Sequence, residues 1–191
     1  SADGTSSTVV VTINGTNDTA VISAGSGSVT EDVGVVAGNL VTGGTLTVSD
    51  PDAGESSFQA QSTAGAYGSF TLGVDGVWSY TASNANPAIQ ALGRGDVLTE
   101  TFSVRSADGT SSTVVVTING TNDGPVANGD AFSTNEDVAL TIAVSSLLAN
   151  DTDLDGDSLV ITSVQGAVRG SVALVGGNVV FTPEAEYSGP A

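Results

Sequence analysis

The sequence predicts an all-β fold in which antiparallel β-sandwich modules follow one another in tandem, joined by short acidic linkers. Eighteen residues, SADGTSSTVVVTINGTND, occur at positions 1–18 and again unchanged at 106–123, an offset of 105 residues. Self-similarity at this spacing indicates a repeated module, and about 100 residues is the usual length of one β-sandwich. The 25 glycines, the frequent Val and Thr and the few aromatic residues favour strands and tight turns over helices.

Each copy of the repeated segment is predicted to be a final strand that runs into a polar joint. The apolar runs at residues 8–13 and 113–118 are both followed by the sequence NGTND, whose Asn, Gly and Asp residues are typical of connections between strands. Module boundaries are therefore placed after Asp18 and Asp123. The resulting divisions are 1–18, the terminal strand and linker of a preceding repeat; 19–123, a complete sandwich; and 124–191, a second sandwich that lacks its final hairpin.

Alternating apolar residues predict two hairpins in the first module. In the earlier one, four apolar side chains share a face only if the loop has an odd number of residues, which predicts a three-residue loop at 74–76 with Gly76 in a left-handed conformation. In the later one, the chain turns at Asp108 and Gly109. The apolar residues of the two hairpins are Phe70, Leu72, Trp78, Tyr80, Phe102, Val104, Val114, Val116 and Ile118.

A short helix and fewer strands are predicted elsewhere. Residues 86–92 begin with Asn-Pro and are followed by Gly93, a pattern typical of a helix of about one and a half turns. In the second module we predict a strand at 159–164 and a hairpin around a four-residue loop at 175–178. A final hairpin is missing there, which either truncation or completion by a strand from another chain would explain.

Composition narrows the possible functions. The chain has 21 acidic residues, three arginines and no lysine or histidine, with a formal net charge of −18, so nucleic acid and anionic membrane surfaces are poor partners. No apolar run is long enough for membrane insertion. Without Cys or His the chain cannot form a Ser-His-Asp triad, a thiolate nucleophile or an ordinary zinc site. The sequence therefore predicts that the protein is not an enzyme.

Alternating aspartates predict calcium sites. The stretch DTDLDGD at 151–157 places a carboxylate at every second residue and a glycine at a bend, an arrangement that directs several oxygens to one hard cation such as Ca²⁺. It is not an EF-hand, because Thr162 stands where the loop would need its bidentate Glu. The stretch DPDAGE at 50–55 is the corresponding loop of the first module, following a predicted strand.

Acidic residues gather at turns and joints rather than on strands. Thirteen of the 21 lie in the two loops, the two joints and the two Glu-Asp pairs at residues 31–32 and 136–137. Clustered like charges repel one another unless a cation lies among them. The Glu-Asp pairs are also typical of surface turns. The predicted metal ligands are Asp18, Glu31, Asp32, Asp50, Asp52, Asp123, Glu136, Asp151, Asp153, Asp155 and Asp157.

Both modules resemble repeats of large bacterial surface proteins. Residues 19–123, with GTLTVSDPDAGE, AYGSFTLGVDGVWSYTASN and IQALGRGDVLTETFSV, resemble a complete VCBS repeat of RTX-type bacterial surface adhesins. Residues 124–191, with NEDVALTI, LLANDTDLDGDSLVITSV and FTPEAEYSG, resemble part of a bacterial cadherin-like tandem repeat.

This resemblance implies a fold and a role. The fold is an immunoglobulin- or cadherin-like sandwich, with calcium at module junctions and neighbouring repeats of the same polypeptide as partners. The role is that of a calcium-rigidified extender in cell adhesion or biofilm formation, secreted by a type I system to the bacterial cell surface. The positions that inherit the ligand expectation are Asp18, Asp50, Asp52, Asp123, Asp151 and Asp153.

Two alternatives to a passive extender stay open. One is an adhesive module that binds a ligand or carbohydrate directly, which would call for exposed aromatic residues, whereas Trp78 suits a core position. The other is a self-assembling fibre subunit, favoured by the unpaired strand at 8–13 and the unfinished second module, since an open sheet accepts a strand from a neighbouring chain.

Overall fold

The structure, a computed structural model, describes Ala2, Gly4 and residues 6–190. It is almost entirely β, which confirms the predicted fold class. Contacts divide the chain into two compact units: unit 1 comprises Ser1–Asn84 and Leu98–Ile118, and unit 2 comprises Ala85–Val97 and Asn119–Ala191. The predicted divisions 1–18 and 124–191 include Ser1, Asp3, Thr5 and Ala191, which lie outside the described residues.

Unit 1 is built from two principal sheets and a small two-stranded one. The sheet orders are β3-β7-β6-β5, β2-β9-β8 and β1-β4, and neighbours in the first and third are antiparallel. The first residue of β8 and the last of β9 fall in unit 2. The strands are β1 (Val21–Ile22), β2 (Gly25–Thr30), β3 (Asn39–Thr45), β4 (Val48–Ser49), β5 (Gln61–Ala64), β6 (Gly68–Leu72), β7 (Val77–Ser83), β8 (Val97–Arg105) and β9 (Ser111–Asn119).

The core of unit 1 lies between its two principal sheets. The ring of Phe70 on β6 stacks on that of Phe102 on β8, with centroids 4.7 Å apart, and Tyr80 on β7 lies 5.9 Å from the same ring. Removing this apolar surface from water is the main stabilising contribution. The other strand residues buried in unit 1 include Val29, Leu40, Leu72, Trp78, Ala82, Val104, Val114, Val116 and Ile118.

The hairpin between β6 and β7 has the predicted geometry. Phe70 pairs with Tyr80 and Leu72 with Trp78, so all four side chains lie on one face. The amide of Gly73 donates to the carbonyl of Val77 at 2.8 Å, which leaves three residues in the loop. Gly76 ends that loop at φ +82°, a left-handed conformation that a side chain would strain. The predicted three-residue loop is confirmed.

The repeated segment has two different environments. In its second copy, Val114, Val116 and Ile118 lie on β9 and are fully buried. In its first copy, residues 8–13 form no strand, although a strand was predicted, and Val9 and Ile13 are 85% and 90% exposed. Apolar alternation alone does not make a strand, because the segment also needs a hydrogen-bonded neighbour and a face to cover.

In the described residues of unit 2, three strands form one antiparallel sheet in the order β10-β12-β11. The predicted helix in residues 86–92 is confirmed as α1, where the side chain of Asn86 accepts a hydrogen bond from the amide of Ala88 at 3.0 Å and caps the helix. The elements are α1 (Pro87–Gln90), β10 (Leu140–Ala143), α2 (Val144–Leu147), β11 (Gly170–Val175) and β12 (Asn178–Pro183).

Two predictions for the second module are wrong. Residues 159–164 are not a strand, since the described strands of unit 2 pair only with one another and Val160 is 72% exposed. The β11–β12 loop contains two residues rather than four, because Val175 pairs with Asn178. Its residues, Gly176 and Gly177, both have positive φ, which is the geometry of a two-residue type I′ turn.

Candidate metal centres in two acidic loops

The first acidic loop follows β4 and brings three carboxylates together. One oxygen from each of Asp50, Asp52 and Glu55 lies within 4.8 Å of the other two. The loop is closed on itself, because the amide of Asp50 donates to Ser56 Oγ at 3.0 Å and that hydroxyl donates back to the carbonyl of Asp50 at 3.2 Å. All three acids are half-buried. The loop therefore presents converging negative charge from a fixed backbone.

The joint that precedes the module is bonded to this loop. The amide of Asp18 donates to Asp52 Oδ2 at 2.7 Å, and the amide of Asp52 donates to Asp50 Oδ1 at 2.7 Å. Asn17 Nδ2 in turn donates to the carbonyl of Asp18 at 2.8 Å. These bonds form a relay from the joint through two aspartates of the loop. A carboxylate that accepts one such bond keeps lone pairs for a cation.

Two oxygens in the first loop lack an ordinary partner. Asp50 Oδ2 and Glu55 Oε2 are shielded from solvent and accept no hydrogen bond from any described residue. The pKa of Glu55 is raised above 4.5, first by burial and then by the negative charges of Asp50, Asp52 and Asp108. A shielded, unpaired carboxylate oxygen is costly. A bound cation would supply the missing partner.

The second acidic loop repeats this relay. The amide of Asp123 donates to Asp155 Oδ2 at 2.6 Å, and the amide of Asp155 donates to Asp153 Oδ1 at 3.0 Å. Asn122 Nδ2 donates to the carbonyl of Asp123 at 2.5 Å, as Asn17 does at the first joint. Oxygens of Asp153, Asp155 and Asp157 lie within 4.8 Å of one another. Asp155 Oδ1 is shielded and accepts no hydrogen bond within the described part of the chain.

The relay shows which aspartates of the two loops correspond. Asp50 and Asp52 have the same bonding as Asp153 and Asp155. The ligand positions that the resemblance implied in the second loop were Asp151 and Asp153. Asp151 has a different environment: its Oδ1 accepts from the amide of Asn128 at 2.7 Å. This bond accompanies a β-bridge between Val126 and Thr152 that holds the start of the module to the loop.

The two Glu-Asp pairs lie outside both carboxylate clusters. Glu31 is buried, and Asp32 beside it exchanges hydrogen bonds with the side chain of Asn84 at 3.0 and 2.6 Å. Glu136 and Asp137 are exposed, and Asp137 Oδ1 accepts from the amide of Glu186 at 3.2 Å. Asp32 and Asp137 share a positive φ, 57° and 60°, so the pairs form corresponding turns.

Two acidic residues near the first loop were not among the predicted ligands. Glu55, the last residue of DPDAGE, belongs to the carboxylate cluster of the first loop but was not among the predicted ligands. Asp108, in the β8–β9 turn, accepts from the amide of Ala20 at 3.1 Å and raises the pKa of Glu55. Hydrogen bonds from Ser106, Thr110 and Ala20 hold the pKa of Asp108 well below its usual value of 3.8. Only the folded chain brings Asp108 near the loop.

Comparison with known families identifies the chain. A family model for the bacterial cadherin-like domain matches residues 17–120, and one for the cadherin-like domain matches residues 121–191. The first match covers more than half of the sequence, so the chain belongs to the bacterial cadherin-like domain family. No curated protein matches it. Domains of these families are extracellular, non-catalytic structural modules of adhesion type and typically bind Ca²⁺.

The residues present fit a hard cation. Both clusters consist of carboxylates, the ligands that Ca²⁺ and Mg²⁺ prefer, and both contain a shielded oxygen that needs a positively charged partner. None of the helices in the described residues is both long and apolar enough to cross a membrane.

Proposed function

We propose that the chain is a calcium-stabilised structural module of a large extracellular bacterial adhesin, with one ion in each acidic loop. The observation that carries this proposal is the repeated relay from joint to loop, Asp18 to Asp52 and Asp123 to Asp155. Two loops of different sequence and length have acquired the same bonding and the same kind of unpaired oxygen. Acidic residues that served only to keep the protein soluble would not need the same hydrogen bonds in both loops.

The ligand sets follow from the clusters. In the first loop the ion would be held by Asp50, Asp52 and Glu55, and in the second by Asp153, Asp155 and Asp157. Further oxygens are available from the joint aspartates. Calcium suits these sites better than magnesium, because it accepts six to eight oxygens in a flexible geometry, whereas magnesium demands a near-ideal octahedron.

The function of the ion is to stiffen the joint. The aspartate amide of each joint donates to a carboxylate that we propose as a ligand, Asp52 at the first joint and Asp155 at the second. A bound cation would offset the repulsion within the cluster and so hold that carboxylate where the joint can bond to it. At calcium concentrations about tenfold above the dissociation constant, each site would stabilise the folded state by about 1.4 kcal/mol. The joints would then be ordered in calcium-rich surroundings and loose at low calcium.

The proposal also covers the kind of repeat to which each module belongs. The motifs GTLTVSDPDAGE and AYGSFTLGVDGVWSYTASN support a VCBS-type repeat, and LLANDTDLDGDSLVITSV supports a neighbouring cadherin-like repeat of an RTX-type adhesin. Neighbouring repeats of the same polypeptide are then the natural partners, and secretion to the bacterial surface in support of adhesion or biofilm is the setting. The net charge of −18 keeps such a chain soluble and favours cation uptake.

Titration calorimetry of the chelated protein with CaCl₂ tests the proposal site by site. We expect two binding events. Asp52→Asn should abolish one, and Asp155→Asn the other, because each removes a charged ligand from one cluster. Asp130→Asn makes the same charge change at an exposed residue outside both clusters and should leave both events intact.

Thermal denaturation with and without EDTA provides an independent measurement. Calcium should raise the melting temperature of the wild type, and the gain should shrink in either site variant. Absence of binding heat together with an unchanged melting temperature in EDTA would rule out the calcium function.

A further inference from the structure

A tight turn after α1 exposes the tripeptide Arg-Gly-Asp. The amide of Asp96 donates to the carbonyl of Gly93 at 3.0 Å, and Gly95 has a φ of +96°. A positive φ at the third of the four turn residues is typical of a type II turn, in which Arg94 takes the second position. The residues Arg94, Gly95 and Asp96 are all exposed. An arginine and an aspartate therefore flank the glycine at the corner of one exposed turn.

The backbone of this turn is held in place on both sides. Before the turn, Ile89 and Leu92 are buried. After it, the carbonyl of Asp96 accepts from the amide of Gly120 at 2.9 Å. A Cβ at Gly120 would lie 2.3 Å from the carbonyl oxygen of Leu92, so the two backbones approach closely. A turn that is already ordered loses little conformational entropy when a partner binds it.

Neither charged side chain of the turn is used within the described part of the chain. Arg94 forms no ion pair there, and the carboxylate of Asp96 accepts no hydrogen bond. By contrast, Arg169 pairs with Glu184 at 3.5 Å. A guanidinium that stays unpaired in a chain with 21 acidic residues is available to a carboxylate of another molecule. Asp96 lies outside both carboxylate clusters, so its oxygens are available as well.

We propose that the turn Arg94-Gly95-Asp96 is a contact site for a receptor protein that presents a carboxylate pocket beside a bound divalent cation. The guanidinium of Arg94 fits the pocket, because its forked N–H groups match the two oxygens of a carboxylate. The carboxylate of Asp96 fits an open position on the cation, because hard divalent ions prefer oxygen ligands. This inference adds a binding function to the structural role and does not depend on the calcium function.

Charge alone would select a different partner. A formal net charge of −18 attracts cationic surfaces to the molecule as a whole, without regard to the shape of any one turn. The proposed contact instead needs a guanidinium and a carboxylate at a fixed separation. A substitution that changes the length or shape of either side chain should therefore weaken binding even though the charge is kept.

The surroundings of Asp96 offer a competing use for its carboxylate. A Cβ at Gly93 would lie 3.7 Å from Asp96 Oδ2 and 3.7 Å from Asp155 Cβ, so the turn lies next to the second acidic loop. In that case Asp96 would serve the metal centre rather than a receptor. The variant Asp155→Asn separates the two uses, because it removes a ligand of the second loop and leaves the turn unchanged.

Surface plasmon resonance of the full chain tests the proposal, with the ectodomain of an Arg-Gly-Asp-binding integrin as the probe and with MgCl₂ and CaCl₂ present throughout. The wild type should bind, and a cyclic Arg-Gly-Asp peptide should compete. Asp96→Glu and Arg94→Lys keep the charges but change the fit, and each should weaken binding about tenfold or more. Asp130→Glu and Arg105→Lys make the same changes at exposed residues outside the turn and should bind like the wild type.

A pair of glycine variants tests the turn geometry without changing either charge. Gly95→Ala introduces a side chain at a φ of +96°, which disfavours the turn, and should also weaken integrin binding. Gly109→Ala imposes the same strain at a φ of +93° in the β8–β9 turn and should leave binding unchanged. Both glycines have open space around them, so neither variant creates a steric clash.

Three results would overturn the proposal. The first is no binding by the wild type to an integrin that binds the cyclic peptide in the same buffer. The second is binding that the peptide does not displace or that survives Asp96→Glu. The third is an equal loss of integrin binding in Asp155→Asn and Asp96→Glu together with loss of the same calcium-binding event, which would assign Asp96 to the metal centre. A wild type that binds the integrin but no calcium would overturn the calcium function alone.

Discussion

The backbone amide of Asp123 donates to Asp155 Oδ2 at 2.6 Å, across 32 residues of chain. Asp18 and Asp52 make the same bond at 2.7 Å across 34 residues. The joints have identical sequences but the loops DPDAGE and DTDLDGD do not. In each loop the accepting aspartate also donates its own backbone amide to the aspartate two residues earlier, Asp52 to Asp50 and Asp155 to Asp153. This shared bonding, rather than loop sequence, is what makes the two loops one kind of site.

The repeated segment offers matched substitutions in one molecule. Ile118→Ala should lower the free energy of unfolding by about 2–5 kcal/mol, because it opens a cavity in the core. Ile13→Ala changes the same residue in the same local sequence at a position that is 90% exposed, and should have no effect in dilute, monomeric protein. Urea denaturation measures both. Equal losses would contradict the exposed state of residues 8–13.

The second joint should be far less tolerant of a side chain than the first. A Cβ at Gly120 would lie 2.3 Å from the carbonyl oxygen of Leu92 and 2.5 Å from that of Gly93, and the Gly120 amide donates to the carbonyl of Asp96 at 2.9 Å. Gly120→Ala should therefore cost about 1–3 kcal/mol. Gly15→Ala, with open space around it, is the matched control for thermal denaturation. A stable Gly120→Ala variant would show that this approach is not close.

A buried hydrogen bond between the sheets of unit 1 should contribute measurably to stability. The hydroxyl of Tyr80 donates to Glu100 Oε2, and Glu100 Oε1 accepts from the amide of Ala66 at 2.5 Å. Burial and this bond raise the pKa of Tyr80. Tyr80→Phe leaves a buried carboxylate short of a donor and should cost about 1–3 kcal/mol.

Tyr187→Phe is the control for that variant. Its hydroxyl donates to the carbonyl of Pro190 at 2.7 Å in an exposed setting, where water replaces the lost partner. Chemical denaturation should show little change. Equal effects of the two Tyr→Phe substitutions would mean that the Tyr80 bond is no more important than a surface bond.

The stability of the calcium-free protein should fall as pH rises above about 4.5. Burial and neighbouring charge raise the pKa of Glu55, so the folded state holds its proton more tightly than the unfolded chain does. This contribution is complete below the unfolded pKa of 4.5 and is lost as pH rises through the folded pKa. Calcium affinity should increase over the same interval, because the ion competes with the proton.

Urea denaturation of chelated protein across this pH interval measures the effect. Glu55→Gln cannot titrate and should remove this part of the pH dependence. Asp108 titrates in the opposite sense: its pKa is lowered, so its contribution is present above 3.8 and is lost at more acidic pH. A Glu55→Gln profile identical to that of the wild type would contradict the prediction.

Local sequence predicted those features that short-range geometry decides. Alternating side chains and Gly76 predicted the three-residue hairpin loop, and Asn86-Pro87 predicted the start of α1. Local sequence did not predict features that depend on a partner far away in the chain. Residues 8–13 and 113–118 are identical, yet only the second run is a strand, and Val160 belongs to a predicted strand that found no neighbour.

The same limit applies to the acidic loops. Alternating aspartates were sufficient to locate both loops. Which aspartate of the second loop accepts from the joint depends on the folded chain: Asp155 accepts from the amide of Asp123, whereas Asp151 accepts from the amide of Asn128. Asp108 was missed for a similar reason, since it approaches Glu55 only through folding.

One peptide sequence is exposed in its first copy and buried in its second, so its accessibility to a probe depends on whether the protein is folded. An antibody raised against SSTVVVTIN would find its epitope accessible in residues 6–14 and sequestered in β9. Native protein should bind one antibody fragment per polypeptide and heat-denatured protein two. The binding stoichiometry would thus count folded molecules without a label, a dye or an engineered tag.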